Sequence, residues 1–407
     1  MTYDTDEDDR FTKLDIRCLE DDDSGRRKCF FEKGLSALLI DKHFVLLYVP
    51  KDGAKMRIIR PESDPYHREQ NLHLWEEIGD YVDDEHDQPT APVSMRPEKR
   101  ATLLALLKAH PDSYWWIDVL CARTDTPLDI MGDIYACCLE CIAMIDCEPS
   151  LLPKLHIEKN TREELFEFNF YGRPSLELFE RGKRLYANYP QLIAQLYQLQ
   201  RSVWWKRVWT WQEMALPYGN VRLIAETDDN HFQTNTITIS DLINCFKNAL
   251  DIFSYLNASD TEGCKDKTDE VRYKSTQFMS EIYQARTFNK HRIEEKTPPR
   301  YVFLMTSLAG SRRRCMDPVD YVYGVLGMFQ FKIPRMSDPN AVWQRFLSEL
   351  EKYTEPMMND KFELEGHKYK LTAFDDRAYL KDLREAKDMS DVYTYVCTMK
   401  ADYSDSE

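Results

Sequence analysis

Short apolar runs divided by turn residues fill positions 28 to 60. "KCFFEKG", "SALLID", "HFVLLYVP" and "KMRIIR" are rich in β-formers, with a turn signal at Asp52-Gly53, which predicts an N-terminal β-ribbon. From about Met95 to Ala109 the period lengthens, and Leu103, Leu104, Leu106 and Leu107 form the buried face of a helix. "YWWIDVLC", residues 114 to 121, is apolar without clean alternation and is bounded by turn residues. It therefore reads as a strand covered on both faces. A helix from about Leu128 to Glu140 and a second buried strand, "CIAMIDC", follow. Strand, helix and strand at this spacing predict a βαβ unit of a parallel sheet.

Further on, Leu192, Ile193, Leu196 and Leu199 recur at helical spacing and lead into "SVWWKRVWTWQEMALP", residues 202 to 217. This stretch holds Trp204, Trp205, Trp209 and Trp211, half of the eight tryptophans of the chain, around a single carboxylate, Glu213. Such a cluster is either a core, with Glu213 paired to Arg207 or Lys206, or the wall of a pocket. "NVRLIAE" reads as another strand, and residues 227 to 300 as polar and helical. "TSLAGSRRRCMDPVDYVYGVLGMF" predicts two helices broken at Asp317-Pro318, and "DPNAVWQRFLSELEKY" a final amphipathic helix. No internal repeat is present. The acidic ends "MTYDTDEDDR" and "ADYSDSE" are expected to fray.

Composition narrows the function classes. A chain of 407 residues with 43% hydrophobic residues can bury a sizeable core, and its net charge of −16 opposes nucleic acid as a partner. The run Arg312 to Arg314 reads as a solvated face. No apolar h-region or membrane-spanning run occurs, and eleven cysteines, an odd number, suit reduced thiols, so a cytoplasmic setting is expected. Cys138 and Cys141 have the two-residue spacing of zinc ligands, but no second pair completes four ligands. No metal is therefore expected. Asp118, set within an apolar strand, must be hydrogen-bonded or serve a site.

Three segments in order resemble the fungal heterokaryon-incompatibility (HET) domain family. "WWIDVLCARTD" with "MGDIY" and "CIAMIDC" stands where the family has W-I-D-A-L-C-I-N-Q-D, M-x-x-I-Y and a strand. "WWKRVWTWQE" matches W-F-x-R-x-W-x-x-Q-E, and "DPVDYVYGVLGM" matches D-P-R-D-K-V-Y-x-L-L-G-L. The resemblance covers roughly residues 70 to 330. The family's opening L-S-Y/H-x-W-G is met by "NLHLWEEIGD", which keeps Trp75 but displaces the glycine, and Arg123 and Thr124 replace the N-Q pair.

The HET family is in turn similar to Toll/interleukin-receptor (TIR) domains, some of which cleave NAD with a glutamate in a W-C-x-x-E-like helix, a spacing that "WTWQE" resembles. The resemblance implies an α/β fold: a flavodoxin/TIR-like parallel sheet flanked by helices, with an N-terminal β-ribbon and C-terminal helical additions. The expected division is an extension over 1–65, a HET-like domain over 66–355 and a tail over 356–407. It implies a role in fungal non-self recognition and cell death, with hydrolysis of NAD at the nicotinamide bond. NAD or a related nucleotide is then substrate rather than cofactor, and a homo-oligomer and a protein partner in signalling are further expectations. Glu213 is the candidate catalytic residue; Asp118, Arg123, Asp125, Trp75, Trp209 and Arg207 are the candidate substrate-binding residues. In an open parallel sheet the loops at the carboxyl ends of the strands would gather these residues into one crevice. A non-enzymatic self-assembling signalling module and a nucleotide-binding member without activity remain the alternatives.

Overall fold

The computed structural model describes residues 37–51, 54–61, 97–122, 126–128, 130–138, 140–160, 190–217, 219–227, 235–243, 267–290, 304–305, 307–308, 311, 313–359, 361–364, 367–372, 382–397 and 400–403. The predicted ribbon is present as strands β1 (Leu46–Val49) and β2 (Arg57–Ile59), antiparallel with Leu47 opposite Ile58. Alternation sets its buried face: Val45, Leu47, Val49, Met56 and Ile58 pack together against Leu107 of helix α1 (Pro97–Lys108). "SALLID" departs from expectation, because residues 37–39 are helical and bury Leu38 and Leu39 in the main core. "KCFFEKG" and Asp52-Gly53 lie outside the described residues.

The strand expected over 114–121 is shorter than predicted. Among the described residues strand β3 (Ser113–Trp115) pairs only with β1, antiparallel, and the chain then coils into the single turn α2 (Asp118–Cys121), where the Cys121 amide donates to Ile117 O at 2.7 Å. The reason is physical. A strand covered on both faces would bury the Asp118 carboxylate, whereas the helical turn leaves Asp118 exposed. β3 therefore does not join the next strand in a βαβ unit.

The parallel pairing occurs one step later. Helix α3 (Ile130–Cys137) leads into β4 (Glu140–Ile145), helices α4 (Leu151–Asn160), α5 (Pro190–Leu199) and α6 (Thr210–Ala215) follow, and β5 (Asn220–Ala225) lies parallel to β4 from Glu140↔Asn220 to Ile145↔Ala225. The short β6 (Ile237–Thr238) closes this sheet antiparallel in the order β4-β5-β6, and α7 (Ile239–Leu242) follows it with a Thr238 capping box. Helix α8 (Lys267–Lys290) packs Phe278, Met279, Ile282 and Ala285 into the main core.

The break at Asp317-Pro318 is followed by α9 (Asp320–Tyr323), α10 (Leu326–Phe329) and the amphipathic α11 (Pro339–Asn359). Helix α11 is not the last element. β7 (Lys361–Leu364), β8 (His367–Thr372), α12 (Met389–Cys397) and β9 (Lys400–Tyr403) follow, the strands forming an antiparallel sheet. Residues 401–403, expected to fray, are held because their backbone pairs with β8, Tyr403 opposite Tyr369. The architecture is thus mixed α/β, small open sheets flanked by helices. Among the described residues no helix is long and apolar enough to cross a membrane.

Candidate active site

The tryptophan stretch is fastened to the end of β4. Asp146 Oδ1 accepts from the amides of Val203 at 2.7 Å and Trp204 at 3.4 Å and from the Ser202 hydroxyl, and Ser202 Oγ in turn caps the 3-10 turn Val203–Lys206. Burial pulls the Asp146 pKa upward, but the Ser202 hydroxyl and these two amides outweigh it and hold the carboxyl below its ordinary value. The anion is fixed in place by donors at the start of the turn, of which the Trp204 amide is shared with Ser202 Oγ at 3.2 Å.

Three of the four indoles belong to the core. Trp204, Trp205 and Trp211 are buried, Trp204 and Trp205 meet edge to face at 4.6 Å, and Trp205 meets Phe278 of α8 at 4.7 Å. Trp209 is half-buried. Core and site are nevertheless joined, because the Trp204 indole N–H donates to Glu213 Oε2 at 3.0 Å. Trp204 therefore bridges two carboxylates, its amide on Asp146 and its ring nitrogen on Glu213.

Glu213 lies in α6 and keeps partial solvent contact, yet protein surrounds it deeply enough to raise its pKa to about 7. Burial is the main cause and the charge of Asp118 adds to it; the Trp204 hydrogen bond, Arg207 and Arg313 oppose both. Among the described residues no cation reaches this carboxylate within ion-pair distance, and Lys206 instead donates to Arg201 O at 3.0 Å. The pairing of Glu213 with Arg207 or Lys206 that the core alternative called for is thus replaced by an indole. Buried Tyr135 of α3 stands edge-on to Trp116, and burial first, then Glu213 and Asp118, push its hydroxyl well above the usual range. The Cys138 thiol donates to Tyr135 O at 3.0 Å, and Cys141 is raised by its hydrogen bond with Cys138 and by burial. Tyrosine and Cys141 therefore stay neutral beside Glu213 at neutral pH.

The neighbourhood differs from a crevice confined to carboxyl ends of strands. Glu213 is coupled to Asp118, to Tyr135 and to Cys141 near the amino end of β4, while Asp146 at the other end is engaged by amides. Asp118 and Glu213 are brought together, Arg207 is exposed but near enough to act on Glu213, and Trp75, Arg123 and Asp125 lie outside the described residues.

One residue of this region carries no distinguishing mark in the sequence. Arg313 sits in a run expected to be solvated, but it is buried, donating from Nη1 to Arg207 O at 3.0 Å and Thr210 Oγ1 at 2.8 Å and from Nε to Glu281 Oε1 at 3.3 Å. Its guanidinium also lies 5.0 Å from the Trp211 ring centroid. Nothing in "RRR" says which arginine turns inward; the choice depends on Glu281 and Thr210, distant in sequence. Arg314 is exposed, and Arg312 lies outside the described residues. Gln212, fully buried, donates from Nε2 to Tyr323 O at 3.3 Å and leaves Oε1 without a partner against Gly327.

Residues 73–213 match the family model described as Heterokaryon incompatibility protein (HET). The chain matches no curated protein and no solved structure. The matched segment begins ahead of α1 and ends on Glu213 itself, so it contains Asp118, Tyr135, Asp146 and Trp204. The carboxylate, the indole that holds it and the strand end that holds the indole therefore all lie within the segment similar to the HET domain, and that match supports the heterokaryon-incompatibility family for this part of the chain.

Proposed function

We propose that the chain serves fungal heterokaryon incompatibility, a non-self recognition and cell-death response, through a HET domain that hydrolyses NAD at the nicotinamide glycosidic bond, with Glu213 as its catalytic carboxylate. The parallel β4–β5 pair among helices supports the likeness to a TIR-type sheet. The observation that carries the reading is Glu213 itself: a deeply enclosed carboxyl, pushed up to about 7, with one indole N–H on it. Its anion is poorly solvated, so a cation arriving or developing beside it gains more than it would in water.

In the reaction the ribose C1′–N bond breaks and nicotinamide leaves with the electron pair as a neutral base, so no general acid is needed. The C1′ centre becomes oxocarbenium-like beside the Glu213 anion, water adds to it, and its proton passes to solvent. The cationic nicotinamide ring of bound NAD favours ionised Glu213.

Glu213→Gln tests this directly. The amide keeps an acceptor for Trp204, so the variant should melt no lower than wild type at pH 7 while nicotinamide release falls about a hundredfold or more. Wild-type chain that releases no nicotinamide from NAD sinks the enzymatic reading and leaves a signalling module. A variant that cleaves at the wild-type rate removes Glu213 from the chemistry.

A further inference from the structure

We propose that Arg207 and Arg314 together form a binding site for the pyrophosphate of a nucleotide. The two residues are partners in an isolated parallel β-bridge between segments more than a hundred positions apart in the chain. The Arg314 amide donates to Lys206 O at 2.6 Å and the Val208 amide to Arg314 O at 3.1 Å, so backbone, not side chain, fixes the pair. Bridge partners send their side chains from the same face, and like charges set opposite one another repel. Both side chains are exposed, as is Lys206 beside them.

The repulsion is built in from beneath. Buried Arg313 donates to the Arg207 carbonyl and Thr210 and pairs with Glu281, so the strand carrying Arg207 cannot move away from the strand carrying Arg314. The nearest acidic residue along that strand, Asp317, turns its Oδ1 to the Val319 amide at 3.1 Å. Two exposed guanidiniums thus share one face of a chain whose net charge is −16, while the Lys206 ammonium is turned to Arg201 O. Two guanidiniums side by side offer paired donors to a group with two adjacent anionic centres. A pyrophosphate has that form, and Arg207 acts on Glu213, which places the pair next to the reacting carboxylate.

The ligand's identity rests on the hydrolase reading above; the charge geometry does not. The full chain titrated calorimetrically with ADP-ribose, ADP and adenosine separates the two. Wild type should bind ADP-ribose and ADP and bind adenosine far more weakly. Arg207→Gln and Arg314→Gln should each weaken ADP-ribose about tenfold or more, as expected for losing a charge-assisted bond. Arg345→Gln, which alters an exposed arginine paired with Glu349 on α11, should leave binding unchanged. Arg314→Lys, which keeps charge but not the fork, should lie between.

Wild type that binds neither diphosphate overturns the site, as does Arg314→Gln melting like wild type and binding ADP-ribose within twofold of it. ADP binding that Arg314→Gln abolishes, in a chain that releases no nicotinamide, keeps the site and ends the hydrolase reading. Nicotinamide release by Arg314→Gln at unchanged KM does the reverse.

Discussion

Glu213 and Asp146 respond to pH in opposite senses, although Trp204 binds both. The folded pKa of Glu213, about 7, lies above its ordinary 4.5, so the folded chain keeps a proton that the unfolded chain gives up. Its contribution to stability is full below pH 4.5 and is lost as pH rises through 7, by about 3 kcal/mol in all. Asp146, held below its ordinary 3.8, contributes above that value and loses its contribution as pH falls through the folded one. Glu213→Gln should therefore lose the descending slope: its melting temperature, below or near wild type at pH 5, should exceed that of wild type at pH 8. Parallel melting curves for the two proteins from pH 4 to 8 would show that the carboxyl titrates normally. A buried ion pair predicts the contrary, a variant destabilised at every neutral pH by a stranded cation.

At the scale of elements, α3 and α10 meet glycine to glycine. A Cβ on Gly327 would stand 2.4 Å from Gly132 Cα and 2.2 Å from Gln212 Oε1, and backbone cannot yield as a flexible side chain would. Gly327→Ala should lower the denaturation midpoint by the equivalent of roughly 1–3 kcal/mol, more if α10 must shift, and wild-type stability in this variant would show that the helices part easily. These contacts also mark what was legible in the sequence. β1, β2, α1, β5 and α11 were legible because period and turn residues are local signals. The meeting of Glu213 with an indole was legible because four tryptophans lie within a dozen positions of it. Arg313 and the Gly132–Gly327 contact were not, since their partners lie far along the chain and nothing near them records the meeting. The strand over 114–121 failed for a related reason: hydrophobicity showed that the segment is packed, but not that the Asp118 carboxylate would turn it into a helix.

Across the whole molecule, the stretch that matches the HET family does not contain all that holds its own site. Gln212 needs Tyr323 O, Trp205 leans on Phe278, and Arg313 fastens Thr210 and the Arg207 carbonyl, all from beyond residue 213. A fragment spanning 73–213 should thus fail to melt cooperatively or to bind ADP, while the full chain does both; a sharp transition in the fragment would make the later segments decorative. The same arrangement has a consequence in time. On the ribosome, Glu213 is made a hundred residues before Arg313, an interval of roughly 5 to 20 s at ordinary elongation rates. Until that arginine has cleared the exit tunnel, the nascent chain holds Glu213 in an unfinished frame. If the chain hydrolyses NAD as proposed, it would in this way stay inert throughout most of its own synthesis.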